Sequence, residues 1–366
     1  MRPVMRIAIR LAYCLCLLLL VMSAALPSAA QGDYQAIIEA SKSEAEGLLI
    51  YSIMGEDNWK PLLDAFAAKY PWIKVTTTDM TSFEVFTQYY SEGDAGLRTA
   101  DMIITSAPDA WLEFDDFGEL EAYTSLEDSN LPDWANPIEG YYVVSTDPVM
   151  LVWNKQQVIF PLRTMAEVLA LAQANPAAFA GKISTYDAET SATGFSIFWS
   201  WTQQKGEAGW AQLAELSKIG VDVKTTAGPI VTGVAQGELK IGLFVSRATV
   251  VSRLARFPES LAAGYFTDGT PIIVRGMGIT ARASSPNSAK LMLDFILSPE
   301  GQIAFAEGGL TAYREDVYGK AKLHLEDLRR ELGEQNLIYM SVEPELQNYD
   351  DKVAFIERWS ALFKPE

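Results

Sequence analysis

From Leu48 onward the chain alternates short apolar runs with stretches of helical periodicity, and this alternation constrains the fold more than any other feature. Leu48-Leu49-Ile50-Tyr51-Ser52 reads as a buried strand, Ile73, Val75 and Thr77 as a second, and Asp101-Met102-Ile103-Ile104-Thr105 as a third. Between them Leu62, Leu63, Phe66 and Tyr70 recur at helical spacing until Pro71, with Asp57 as the expected N-cap and Pro61 in the first turn. Phe83 to Tyr90 reads as the next helix. The pattern repeats further on. Val149 to Lys155, Lys182 to Tyr186, Lys240 to Val245 and Pro271 to Val274 are strand-like, while Thr164 to Ala174 and the segment after Ser191-Ala192-Thr193-Gly194 are helical. Ser285 to Gln302 reads as one capped amphipathic helix, and Lys320 to Phe363 as charged helices with an apolar stripe. Strand–helix alternation gives an α/β fold with a mostly parallel sheet. Ligands of such sheets bind beyond the carboxyl ends of the strands, so the loops after each apolar run are where function is expected.

The first thirty residues stand outside this pattern. Arg2, Arg6 and Arg10 precede an apolar stretch from Leu11 to Leu26, followed by Pro27-Ser28-Ala29-Ala30. This is the layout of a signal peptide over residues 1–30, cleaved after Ala30. The competing reading, an uncleaved anchor, needs about twenty apolar residues, and this core is short for that. No later stretch is apolar enough for membrane insertion.

Export and residue inventory together narrow the chemistry. Both cysteines, Cys14 and Cys16, lie in the leader, so the mature chain is expected to hold no disulfide. Its single histidine, His324, sits in a charged pattern and is expected at the surface. Cys–His catalysis and His/Cys metal sites are thereby excluded, and no paired-carboxylate motif stands out. The reading is therefore not an enzyme, with no cofactor and no metal. An exported hydrolase on the same scaffold is the alternative of another class. The formal net charge of −18 argues against nucleic acid and anionic membranes as partners.

Three passages carry a resemblance: EGLLIYS with its following helix and KYPWIKV, the Trp153-Asn154-Lys155 run, and SPNSAKLMLDFILSPEGQ. In register, they resemble the type 2 periplasmic solute-binding proteins of ABC transporters, in the branch containing the ferric-ion-binding proteins. The resemblance implies two α/β lobes, each a central mostly parallel sheet flanked by helices, with a ligand cleft between them. Lobe one would hold 33–150 and 271–310, and lobe two 151–270 and 311–366. It also implies a periplasmic monomer that closes on its ligand by a hinge and docks on a permease.

The ferric members' ligands are missing here. The first loop, Ser52 to Glu56, has no histidine, the glutamate position reads Ser106, and the tyrosine-pair position reads Arg247-Ala248. Tyr89-Tyr90 and Tyr141-Tyr142 fit packing roles. A guanidinium in place of anionic oxygens turns a cation site into an anion site. The expected ligand is thus a small organic anion, phosphorylated or a phosphonate, with ferric iron bound through a synergistic anion as the alternative. Ser191, Thr193 and Gly194 open a helix whose free N–H groups suit an oxyanion, or else form an ordinary N-cap. Arg247, after Ser246 at the end of a buried strand, faces the cleft or makes a structural salt bridge. Arg275 reaches the cleft mouth or pins the hinge. Ser52, Ser82, Thr105 and Ser106 offer hydroxyls from lobe one. Glu56 and Asp57 could meet a ligand amine, with capping the plainer role for Asp57. Thr226 and Gly228 are weaker candidates.

Overall fold

The computed structural model describes residues 28–364, so the basic and apolar parts of the leader lie outside the described residues. Ten strands form one hydrogen-bonded sheet: β1 (Leu48–Ser52), β2 (Val75–Asp79), β3 (Met102–Thr105), β4 (Tyr142–Asn154), β5 (Ile183–Tyr186), β6 (Asp222–Lys224), β7 (Ile241–Ser246), β8 (Leu261–Gly264), β9 (Thr270–Ile279) and β10 (Leu337–Met340). The order is β2-β1-β3-β9-β4-β7-β5-β6, with β10 added to β9 and β8 to β4. β1 pairs in parallel with β2 and β3, and β5 in parallel with β6 and β7. The two parallel groups are joined through β9 and the long strand β4. The first half of β4, Tyr142 to Pro148, pairs with β9, and its second half, Val149 to Asn154, pairs with β7 and β8. One strand thus belongs to both lobes.

Three cores hold this arrangement. In the first lobe alternate residues of one strand enter opposite cores: Leu48 and Ile50 pack on one face of the sheet with Trp59, Phe66 and Phe295, while Tyr51 packs on the other with Val85, Trp111 and Phe114. Burial on both faces is what makes these strands continuous apolar runs. The second lobe has its own core around Phe198, Trp201, Phe244 and Trp359.

Local details differ from the sequence expectations for identifiable reasons. The helix after β1 is Glu56–Lys69 with Gly55 as its N-cap, so Asp57 lies in the first turn and Pro61 inside the helix. The expected Ser285–Gln302 helix is two helices, Pro286–Leu297 and Pro299–Glu307, because Ser298 caps the second through Gly301 N–H and Pro299 cannot continue the first. The carboxylate of Glu44 accepts from the backbone N–H groups of Asn287 and Ser288, a cap supplied from far away in sequence. His324 is buried rather than at the surface. The helix begins only at Leu325, and the imidazole is its N-cap: Nδ1 accepts from Glu326 N–H, and Nε2 lies 2.8 Å from the Arg314 carbonyl, which fixes the neutral tautomer with hydrogen on Nε2. β10 interrupts the expected run of tail helices. No helix among the described residues is long and apolar enough to cross a membrane.

Candidate functional site

The carboxyl ends of strands from both lobes converge on one cleft of about 620 Å³. Parallel pairing explains why. Register aligns Ser52 with Asp79 and with Ile104, so the loops after β1, β2 and β3 leave the sheet at one level. In the second lobe Tyr186 is opposite Lys224, and the loops after β5, β6 and β7 do the same. A volume of this size suits a small molecule.

The two walls differ in charge. From the loops of β1, β2 and β3 come four carboxylates, Glu56, Asp57, Asp79 and Glu84, with no lysine or arginine. From the loops of β5, β6 and β7 come hydroxyls, Arg253 and no carboxylate. Three helices also start on this second wall. Ala192–Lys205 is capped by Ser191, whose Oγ accepts from Gly194 N–H, whereas Thr226 before Ala227–Gln236 and Ser246 before Arg247–Arg256 make no side-chain cap. Their first-turn N–H groups carry partial positive charge toward the cleft. Arg253 Nη1 donates to Ser252 Oγ at 3.0 Å, and its other nitrogen lies 3.9 Å from where a side chain on Gly228 would begin. No carboxylate is within ion-pair distance of Arg253 among the described residues.

Arg275, on β9, forms the floor. It is 3% exposed, and Nη2 donates to Asp147 Oδ2 at 3.2 Å. Its Nε and Nη1 are buried with no partner among the described residues. Asp147 also accepts from the Ser145 hydroxyl and from Thr311 N–H. Beside this guanidinium, burial pushes the Tyr186 phenol up to about 12, partly offset by Ser246 N–H and Arg275. Desolvation in the wall likewise raises the Asp79 carboxyl above its ordinary range, against the attraction of Arg275.

Of the residues singled out from sequence, Ser82, Ser106, Ser191, Thr193, Ser246 and Arg275 line the cleft, as do Glu56, Asp57, Thr226 and Gly228. Ser106 and Thr193 meet across it, Oγ to Oγ1 at 2.9 Å, and Ser82 stands 3.4 Å from the same threonine. Arg247, Gly194, Ser52 and Thr105 are not among the lining residues. Arg247 Nε donates instead to the Tyr265 hydroxyl at 2.9 Å. β7 carries one extra residue opposite β4 between Gly242 and Val245, with Phe244 at φ 58°, and such a bulge changes which way the following side chains face. Ser52 is fully buried and accepts from Trp59 Nε1 at 3.0 Å, while Thr105 is fully buried with its hydroxyl unpartnered among the described residues. Gly194 contributes its backbone only: a β-carbon there would lie 2.7 Å from the Asp187 carbonyl, so the helix start packs directly on the strand end. Both tyrosine pairs are packed away, Tyr89 donating to Glu119 and Tyr142 to Asp128. Asp79, Tyr186, Thr249 and Arg253 escaped the sequence reading. Asp79 had a usable signal, being the last residue of an alternating strand.

The model of the family described as bacterial extracellular solute-binding protein matches residues 55–303. The chain belongs to this family. The matched segment contains most of the loops that line the cleft. Solute-binding proteins of ABC transporters deliver small molecules to permeases and are binding proteins rather than enzymes. The substrate-binding protein of an ABC transporter from Agrobacterium tumefaciens is similar over 89% of this chain and 97% of its own, at 25% identity and a TM-score of 0.80. The periplasmic binding protein AfuA from Actinobacillus pleuropneumoniae, with fructose-6-phosphate bound, is similar over 87% and 99%, at 19% identity and a TM-score of 0.71. Apo ferric ion-binding protein A from Pasteurella haemolytica is similar over 88% and 100%, at 16% identity and a TM-score of 0.66. These likenesses identify the type 2 periplasmic binding fold. No curated protein matches the chain. Among the described residues no group of three or more His, Cys, Asp or Glu is placed to hold a metal ion.

Proposed function

We propose that this solute-binding protein captures a small organic anion, best matched by a phosphorylated or phosphonate compound, as an exported monomer that presents its ligand to a permease. The observation that carries the reading is Arg275. A buried guanidinium with two unpartnered nitrogens, Nε and Nη1, at the floor of a ligand-sized cleft is costly unless an anion completes it. Arg253 and the uncapped start of the Ala227–Gln236 helix supply a second cationic locus, on the lobe-two wall. A tetrahedral oxyanion has enough acceptors for both arginines, helix N–H groups and the hydroxyls of Ser191 and Thr193 together. AfuA, bound to a sugar phosphate, shows that the fold accommodates this class of ligand.

The test is calorimetric titration of wild type and Arg253→Ala with the compound that native mass spectrometry finds in protein purified from cells. Removing a charged donor is worth about 1.5–3 kcal/mol, so affinity falls by roughly 10- to 150-fold. Melting temperature without ligand stays the same, because the only side-chain partner given up is Ser252. Unchanged affinity for the retained compound defeats the reading.

A further inference from the structure

We propose that the ligand is bipolar: its acidic group sits on the arginine-bearing wall of lobe two, and an ammonium group at its other end faces Asp79 on lobe one. This deepens the anion reading and rests on it.

The case begins with the division of charge. Four carboxylates line one wall and none the other, while the lining arginines come from the opposite wall and the floor. A ligand carrying only negative charge would be repelled by half of its own site, in a protein whose whole-chain charge of −18 already repels anions. A ligand with opposite poles uses both walls. The carboxylates are not equivalent. Glu84 exchanges hydrogen bonds with Thr81, and Glu56 and Asp57 occupy the first turn of their helix, where its dipole holds them. Asp79 ends β2, off any helix, with its carboxylate against Gly55 and no hydrogen-bond donor among the described residues. Glu56 and Asp57 also accept no side-chain hydrogen bond among the described residues, but a helix dipole already compensates their charge; Asp79 has no such compensation, and desolvation raises its carboxyl. A bridging metal would be the other way to neutralise this wall, but no metal-holding group of side chains converges there among the described residues. The remaining complement is an organic cation with several N–H donors, which an ammonium provides. The positive charge of such a group would offset the desolvation that raises the Asp79 carboxyl.

The experiment compares amino compounds with their des-amino analogues: 2-aminoethylphosphonate against ethylphosphonate, phosphoethanolamine against ethyl phosphate, and 4-aminobutyrate against butyrate. Each is titrated into wild type, Asp79→Asn and Arg253→Ala, after refolding from denaturant to strip retained ligand. In at least one pair the amino member should bind the wild type about 10- to 150-fold more tightly, the range for one charged hydrogen-bond partner. In Asp79→Asn that preference should shrink below about threefold, with the des-amino member bound at least as well as before, since one repelling charge is gone. Equal binding within every pair overturns the bipolar ligand, as does a preference that survives Asp79→Asn or failure of every amino compound to bind. Failure of the anion reading looks different: amino compounds would bind Arg253→Ala as tightly as wild type, with the preference over des-amino analogues intact.

Discussion

Replacing Arg275 by methionine separates what this residue does for the scaffold from what it does for the ligand. The side chains of Arg275 and Asp147 are 4% and 0% exposed. Methionine roughly fills the space of the aliphatic stem but leaves Asp147 buried without its counter-charge. Removing one partner of a buried pair costs about 3–5 kcal/mol. Asp147 keeps hydrogen bonds from the Ser145 hydroxyl at 2.6 Å and Thr311 N–H at 2.8 Å, which places the loss near the lower end. An unfolding entropy of about 2.1 cal/mol/K per residue gives about 0.7 kcal/mol/K for a chain of this size, so a loss of about 3 kcal/mol lowers Tm by about 4 °C. Adding Asp147→Asn removes the stranded charge and should recover most of that drop. Ligand affinity should not recover, because the floor of the cleft has lost its cation. Scanning calorimetry on ligand-stripped protein, with titration of the same samples, reads both quantities. An unchanged Tm in Arg275→Met would refute the structural pairing. A double variant as unstable as the single one would assign the loss to packing instead of charge.

The geometry predicts two further outcomes. Arg247→Ala should leave ligand affinity within about threefold of wild type, since its Nε bonds the Tyr265 hydroxyl and, although Nη1 is buried without a partner among the described residues, the residue does not line the cleft; a loss beyond tenfold by calorimetry would return Arg247 to the site. Loading with ferric citrate or ferric phosphate should give no visible phenolate-to-iron absorption, because Tyr186 is the one tyrosine lining the cleft among the described residues; a stable coloured complex at one iron per chain would contradict the anion reading.

The parallel strands and the sheet edge that lines the cleft were legible because both derive from local pattern. Apolar runs announce strands, and the carboxyl-edge rule then points to Ser82, Ser106, Ser191, Thr193 and Ser246 without any knowledge of packing. The features that escaped depend on contacts between distant residues. Arg247 sits at the end of β7, where that rule points to the cleft, but the extra residue at Phe244 alters the facing of the side chains after it, and a bulge has no local sequence signature here. Arg253 lies on the second turn of its helix, and only the packing of Arg247–Arg256 beside Ala227–Gln236 brings it to Gly228. His324 was misread because charged neighbours dominate its window, while its burial comes from the Arg314 carbonyl ten residues back. Asp79 was within reach of the edge rule and lost prominence only because the apolar alternation of its strand masks its polar last residue.

The same geometry bears on how closure depends on ligand. Within the cleft the direct polar contacts between the two walls are between hydroxyls, Ser106 and Ser82 meeting Thr193, while outside it Lys352 pairs with Asp109 at 2.7 Å. A neutral hydrogen bond of this kind contributes about 1 kcal/mol net, little more than RT, so the hydroxyls alone bias the lobes only slightly toward closure. Walls of opposite charge add attraction, but in the open form water screens it. A ligand with poles matching those walls replaces that water and interacts with both lobes only when they are together. On the proposed reading its differential affinity for a closed form would come from the charges, and the hydroxyls would set the distance at which those charges meet. A ligand that engages Arg253 and Arg275 without reaching Asp79 binds one lobe and the floor and has less power to shift the population. Selection among similar anions would then be exercised at the closing step as well as at first contact, with the lobe-one carboxylate deciding which bound molecules hold the cleft shut.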